Sequence, residues 1–286
     1  MAFRRAASWS VALAAVVGAS AAGSAVAAER EAEESLPPPR AIAAPRRVAP
    51  RSAAAPPRYT PFVDRGAALT APWAYGTLGW AATAQRRTRT ELEGNVGGGV
   101  GLTSRLWIDG SVGVLRIAPD TGYHSPVIGL GVLILDRPGV EIDAALHVGF
   151  ASADRRPVEL VEPGLFGVAR VAHKLRFDGG VYVGIHPGGT ELVGLRVPAS
   201  VAFQITERIH AVIGSGVTVD DLRSAATAAI PLGLTLGFSD LVGERPWSLG
   251  VVPSITLPEL VKPGTPERFR PDYVVVGITF VAASKY

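Results

Sequence analysis

From Trp73 to Tyr286 the chain alternates apolar residues with small or polar ones, segment after segment. The stretch from Val140 to Phe150 shows this most cleanly. Val140, Ile142, Ala144, Leu146, Val148 and Phe150 fall on one face, and Glu141, Asp143, His147 and Gly149 fall on the other. Side chains on a strand have period two, so these are two physical faces. Likewise Leu92, Val96, Val100 and Leu102 oppose Glu91, Glu93 and Asn95, and Ile230, Leu232, Leu234, Leu236 and Phe238 oppose Pro231, Gly233, Thr235 and Gly237. The pattern predicts about twelve strands, near 73–84, 91–103, 105–117, 126–136, 139–150, 158–172, 174–186, 191–204, 207–219, 226–238, 247–257 and 272–285.

The connections alternate too. Thr103-Ser104-Arg105, Asp136 to Gly139, His173-Lys174 and Thr206-Glu207 are tight, whereas 118–125, 151–157 and 258–271 are long. Short turns at one end and longer loops at the other are the habit of an up-and-down membrane barrel, and an even strand number puts both chain ends on one side. Two connections break the alternation: 239–246 is long where a short turn is expected, and 187–190 is short where a loop is expected.

Alternation alone fits a soluble sandwich as well as a barrel in lipid. Composition favours the barrel. Hydrophobic residues make up 48% of the chain and charged residues 19%, with 33 glycines and one methionine. A soluble sandwich would place lysine, glutamate and threonine on its solvent face, where this chain often has glycine or serine. The glycine run 97–101 has no helix after it, so it is no dinucleotide loop; it predicts a bent strand or open lumen space. Phe203, Phe238, Trp247 and Tyr286 at one rim, and Trp80 and Phe150 at the other, would form aromatic girdles.

There is no cysteine, which excludes a disulfide framework, a lipid-anchored cysteine and thiol chemistry. The formal charge of +3 includes Arg4 and Arg5, and without them it is near neutral, so charge gives no reason to expect nucleic acid as a partner. Those arginines open a leader with an apolar stretch from Trp9 to Val17 and an Ala25-Val26-Ala27 cleavage signature, read as a signal peptide over residues 1–27. Residues 28–70 are rich in proline, alanine and arginine and read as a disordered periplasmic linker. A plug for the lumen and a ligand for a periplasmic partner are the functional alternatives for this segment.

The last strand, Tyr273 to Tyr286, resembles the C-terminal assembly signal of Gram-negative outer-membrane β-barrel proteins. Val276, Ile278 and Phe280 fall on alternate positions leading to the terminal Tyr286, with Ser284 departing from the usual apolar residue. The resemblance implies an outer-membrane location and recognition by the barrel-insertion machinery.

In a barrel of this topology Glu141, Asp143, Arg170, Arg176 and Asp178 point inward near the periplasmic end of neighbouring strands. They predict a lumenal ion-pair network that narrows the pore, because charges leaving water need partners. Separately solvated charges are the alternative. Glu91, Glu93, His147 and His186 would line the upper rim of the lumen. Scattered lumen histidines are ordinary polar lining, and the adjacent pair His124-Ser125 has no matching acid, so neither a metal, a cofactor nor a catalytic residue is assigned. The expectation is therefore an all-β, antiparallel, up-and-down transmembrane barrel over residues 71–286, in contact with outer-membrane lipid. It would be a narrow passive channel for small solutes or a structural envelope component, and not an enzyme. The alternatives are a secreted soluble β-sandwich that binds a partner and a barrel-borne lipid-modifying enzyme.

Overall fold

The computed structural model describes residues 61–64, 72–83, 90–117, 126–150, 157–187, 192–242, 247–266 and 268–284. The leader, most of the proline-rich segment, His124-Ser125 and Tyr286 lie outside these residues. Twelve strands follow one another: β1 (Trp73–Thr83), β2 (Thr90–Gly101), β3 (Leu106–Ile117), β4 (Val127–Arg137), β5 (Val140–Phe150), β6 (Val158–Ala172), β7 (Leu175–His186), β8 (Leu192–Thr206), β9 (Ile209–Val219), β10 (Ala228–Phe238), β11 (Trp247–Val261) and β12 (Tyr273–Ser284). Each pairs with its sequence neighbours, and β1 pairs antiparallel with β12 from Trp73↔Ala283 to Thr83↔Tyr273, closing the barrel. One closed ring replaces the two facing sheets that a sandwich requires, and closure removes the sheet edges.

The alternation resolves into an outer and an inner wall. Leu234, Val276 and Phe280 are 51%, 42% and 54% exposed on the outside, and Phe203 and Trp247 are exposed near the tight turns. Such a continuous apolar exterior is the surface of a barrel standing in lipid. Glu141, Asp143, Arg176 and Asp178 are buried on the inside. The predicted faces of β5 and β10 are therefore the observed ones.

Strand limits fall within two residues of those expected except at the end of β11. β11 runs on through Pro258 to Val261, where 258–271 was expected to be loop. Pro231 on β10 and Pro258 on β11 have no amide hydrogen to give the ladder. The register slips there, from Leu232↔Leu257 to Ile230↔Val261, and pairing resumes beyond the slip. The Lys262 amide then donates to the Arg268 carbonyl and the Arg270 amide to the Leu260 carbonyl, which extends the hairpin. At the other end β4 continues to Arg137, so the turn into β5 is only Pro138 and Gly139, with Gly139 at φ +82° in the left-handed region that glycine favours.

The tight turns, the start of β1 and the end of β12 lie at one end of the barrel, called here the turn end; the opposite end is the loop end. A short 3-10 turn, Phe62–Asp64, lies apart from the sheet.

Candidate functional site

The lumen holds the chemistry. Near the turn end, Arg170 on β6 is directly opposite Arg176 on β7. Like charges facing each other across a ladder repel, and each guanidinium is met by its own carboxylate. Arg170 Nη2 donates to Glu141 Oε1 at 2.6 Å, and Arg176 Nε donates to Asp178 Oδ1 at 2.5 Å. Four of the five residues expected to form one network make these two ion pairs. Asp143 is 2% exposed and makes no ion pair among the described residues; its Oδ1 has no hydrogen-bond partner there.

The rest of this cross-section is filled by aromatic and aliphatic side chains. Trp73, Tyr75, Trp107, Leu133, Val252, Val281 and Ala283 form one buried cluster. Inward glycines on adjacent strands make the packing possible. A Cβ on Gly97 would strike the Tyr75 ring, one on Gly99 the Trp73 indole, and one on Gly131 the Trp107 ring. The rings therefore lie flat against the wall over their glycine partners. The glycine run of β2 leaves no open lumen space at these positions; it seats Trp73 and Tyr75.

A second polar group sits toward the loop end. Arg196 on β8 reaches across the Tyr182 ring, its guanidinium carbon 4.7 Å from the ring centroid, and donates from Nη2 to Glu162 Oε2 at 2.6 Å. His147 Nδ1 lies 3.7 Å from the same Glu162 oxygen. Gly164 lies beneath the Tyr182 ring, with no room there for a Cβ. Asp109 occupies the same cross-strand row, Asp109↔Gly129↔His147. These side chains are less enclosed: those of His147, Glu162 and Arg196 are 24%, 14% and 15% exposed.

Of the residues expected at the upper rim, His147 joins this group, whereas His186 Nδ1 lies 3.1 Å from the Glu159 carbonyl. Glu91 and Glu93 lie on β2, opposite Ala81 and Gly79 of β1; their side chains fall outside the described residues. Val276 and Phe280 point to the exterior, and Ile278 shares their alternate positions on β12. Sequence reasoning did not single out Glu162, Tyr182 or Arg196. Carrying the inward parity of Arg170 and Arg176 along β6 and β7 reaches Glu162 and Tyr182, and the register of β7 with β8 then places Arg196 opposite Tyr182.

It also did not single out Phe62 and Val63, which are fully buried against β7, β8 and β9. The Phe62 ring stacks on His210, with centroids 4.0 Å apart and planes 5° from parallel. Arg176 places its guanidinium carbon 5.0 Å from the same ring and donates to the Phe62 carbonyl at 3.4 Å. The Val63 amide donates to Gln204 Oε1 at 3.2 Å. Of residues 28–70, expected as a periplasmic linker, Phe62 and Val63 are within the lumen, and all but 61–64 lie outside the described residues.

No protein-family model and no curated protein matches the sequence. Among solved structures, the chain is similar to the NanC porin, with a TM-score of 0.53 and 9% identity over 72% of this chain and 98% of that one. It is also similar to the KdgM porin, with a TM-score of 0.51 and 7% identity over 72% of this chain and 97% of that one. The KdgM porin in complex with disordered oligogalacturonate gives the same score and identity over 75% of this chain and 99% of that one. At these identities the likeness is one of fold, a closed porin-type barrel.

Proposed function

We propose that the protein is a narrow outer-membrane channel that passes small solutes passively. The observation that carries this reading is a closed barrel whose exterior is apolar and whose interior is lined with charge. Charged side chains in a membrane-embedded wall mark a polar pathway, because ionised groups in lipid are costly unless they face water or one another. In this reading residues 1–27 are removed on export, the turn end faces the periplasm, and the strand ending in Val276, Ile278, Phe280 and Tyr286 is read by the insertion machinery. Glu141, Arg170, Arg176 and Asp178 narrow the periplasmic half, and His147 and Glu162 line the outer half. No catalytic role is assigned to any of them.

The solute class follows from the lining. Among the described inward positions Asp109, Glu141, Asp143, Glu162 and Asp178 outnumber Arg170, Arg176 and Arg196. Asp109 and Asp143 make no ion pair among the described residues. The KdgM porin was solved with oligogalacturonate, an acidic sugar chain. The surplus of acid in this lumen favours cations or neutral solutes instead.

Purified protein in a planar lipid bilayer under a salt gradient tests both parts. Single-channel steps with a reversal potential of cation-preferring sign are expected, and Arg196→Ala should move that potential further the same way. Bilayers that stay silent even when the segment before β1 has been removed would overturn the channel reading. Anion preference would overturn the solute class alone.

A further inference from the structure

We infer that the segment around Phe62 and Val63 is a built-in plug, docked in a prepared site in the turn-end half of the lumen and displaced when the pore opens. This rests on the channel reading above and adds the means by which that channel is kept shut.

The first argument is burial. Phe62 and Val63 belong to no strand, yet both are 0% exposed. They are also the only adjacent bulky apolar residues between Glu29 and Ala71, a stretch otherwise dominated by proline, alanine, arginine and glutamate. An apolar pair in such a stretch has few other places to leave water.

The second is that the receiving site is built for them. Gln204 gives its amide hydrogens to the carbonyls of Thr206 and Ile209, at 2.5 and 3.2 Å, which fixes its Oε1 toward the Val63 amide. Arg176 is clamped by Asp178 and presents both its donor and its flat face to Phe62. His210 lies flat beneath the Phe62 ring because Gly237, its neighbour on β10, leaves room for no Cβ there. Ala202 and Val212 complete an apolar floor. A segment resting by chance against the wall would not meet a glutamine and an arginine each held by a further partner and a histidine ring seated over a glycine.

The third is placement across the pore. β7 stands six strands from β1 in either direction round the ring, so the segment is tethered to one wall and docked on the other. Twelve strands about 4.8 Å apart and tilted about 40° enclose a ring roughly 25 Å across. The chain from Phe62 to Trp73 reaches well beyond that when extended, at about 3.3–3.6 Å per residue. At this level Trp73, Tyr75, Trp107 and Leu133 already fill the lumen from the β1–β4 side, so the docked pair closes what they leave open. Two apolar side chains and a few polar contacts make a small interface, suited to reversible release.

The absence of cysteine from the chain makes the test clean. Val63→Cys combined with Ala202→Cys places two thiols in one buried cluster, and folding is checked by heat-dependent gel mobility. The expected result is a disulfide in the folded barrel, low conductance while oxidised, and a several-fold rise in open probability on reduction. The single variant Phe62→Ala, outside the barrel strands, should raise the open probability of the unlinked channel in the same direction. Failure of the cysteines to link in a correctly folded barrel overturns the plug and leaves the channel reading intact. So does linkage with equal conductance before and after reduction, provided that a chain lacking residues 28–64 conducts. Silence of that truncated chain overturns both.

Discussion

The two halves of the lumen use the same parts to opposite effect. Each has an arginine paired with a carboxylate, and each has an aromatic ring laid over a glycine of the neighbouring strand. At the turn end Arg176 is 1% exposed beside Asp178, Arg170 is 17% exposed beside Glu141, and the rings of Trp73, Tyr75 and Trp107 belong to one buried cluster. Toward the loop end Arg196, Glu162 and His147 keep 14–24% of their side chains exposed around a single ring, Tyr182. The wall is the same closed sheet in both. The difference is how many large side chains converge on one level and whether Phe62 and Val63 are docked there, against β7, β8 and β9. A barrel of this width is a core where rings meet and a passage where they do not.

The sharpest test of that contrast is to remove the arginine from each half. Arg176→Ala leaves Asp178 enclosed without its ion-pair partner, so a loss of about 3–5 kcal/mol is expected, the range for breaking a buried pair by deleting one partner. Arg196→Ala leaves Glu162 beside His147 and open to the lumen, so about 1.5 kcal/mol is expected, as for one hydrogen bond to a charged group. Denaturant unfolding in lipid vesicles reads both. Equal losses would mean that the two halves are equally enclosed and would break the comparison.

The sequence made one of these halves easier to read than the other. Strand number, faces and closure follow from period-two alternation, which survives locally whatever the distant partner. The pairs Glu141–Arg170 and Arg176–Asp178 are also near at hand, the first because β5 and β6 are neighbouring strands and the second because its residues lie two apart on β7. Parity groups Asp143 with them, because it gives a side chain's face but not the reach of its neighbours. Glu162 and Arg196 meet across an intervening strand, and their alignment depends on a register slip between Arg170 and Ala172 that the alternation does not encode. Phe62 lies outside any periodic segment, and its contacts with Arg176 and Gln204 follow only once the ring has closed.

A smaller effect is expected where a ring is forced off its glycine in the packed half. A methyl group on Gly131 would run into the Trp107 ring. Trp107 is 7% exposed among Trp73, Tyr75 and Leu133, so it has no free volume to enter. Gly131→Ala should then cost about 1–3 kcal/mol, the usual penalty for overpacking, with little change in conductance because that level is already filled. The same unfolding measurement, paired with bilayer recordings, checks both halves of the statement.

The equivalent change in the open half should reverse the two readouts. Gly164→Ala would push a methyl group into the Tyr182 ring, but that ring borders the passage, with the Arg196 guanidinium lying over it and the half-buried His147 ring tilted 6.2 Å away. The ring and guanidinium can move together toward the lumen axis without meeting another buried ring. Stability should therefore change by less than about 1 kcal/mol, as for a site free to relax. Conductance should fall, because the displaced pair narrows the passage at the level of Glu162 and His147. Loss of stability on the Gly131→Ala scale with unchanged conductance would show that the loop-end half is packed as tightly as the turn end. The pore would then have to lie elsewhere in the barrel, or not exist.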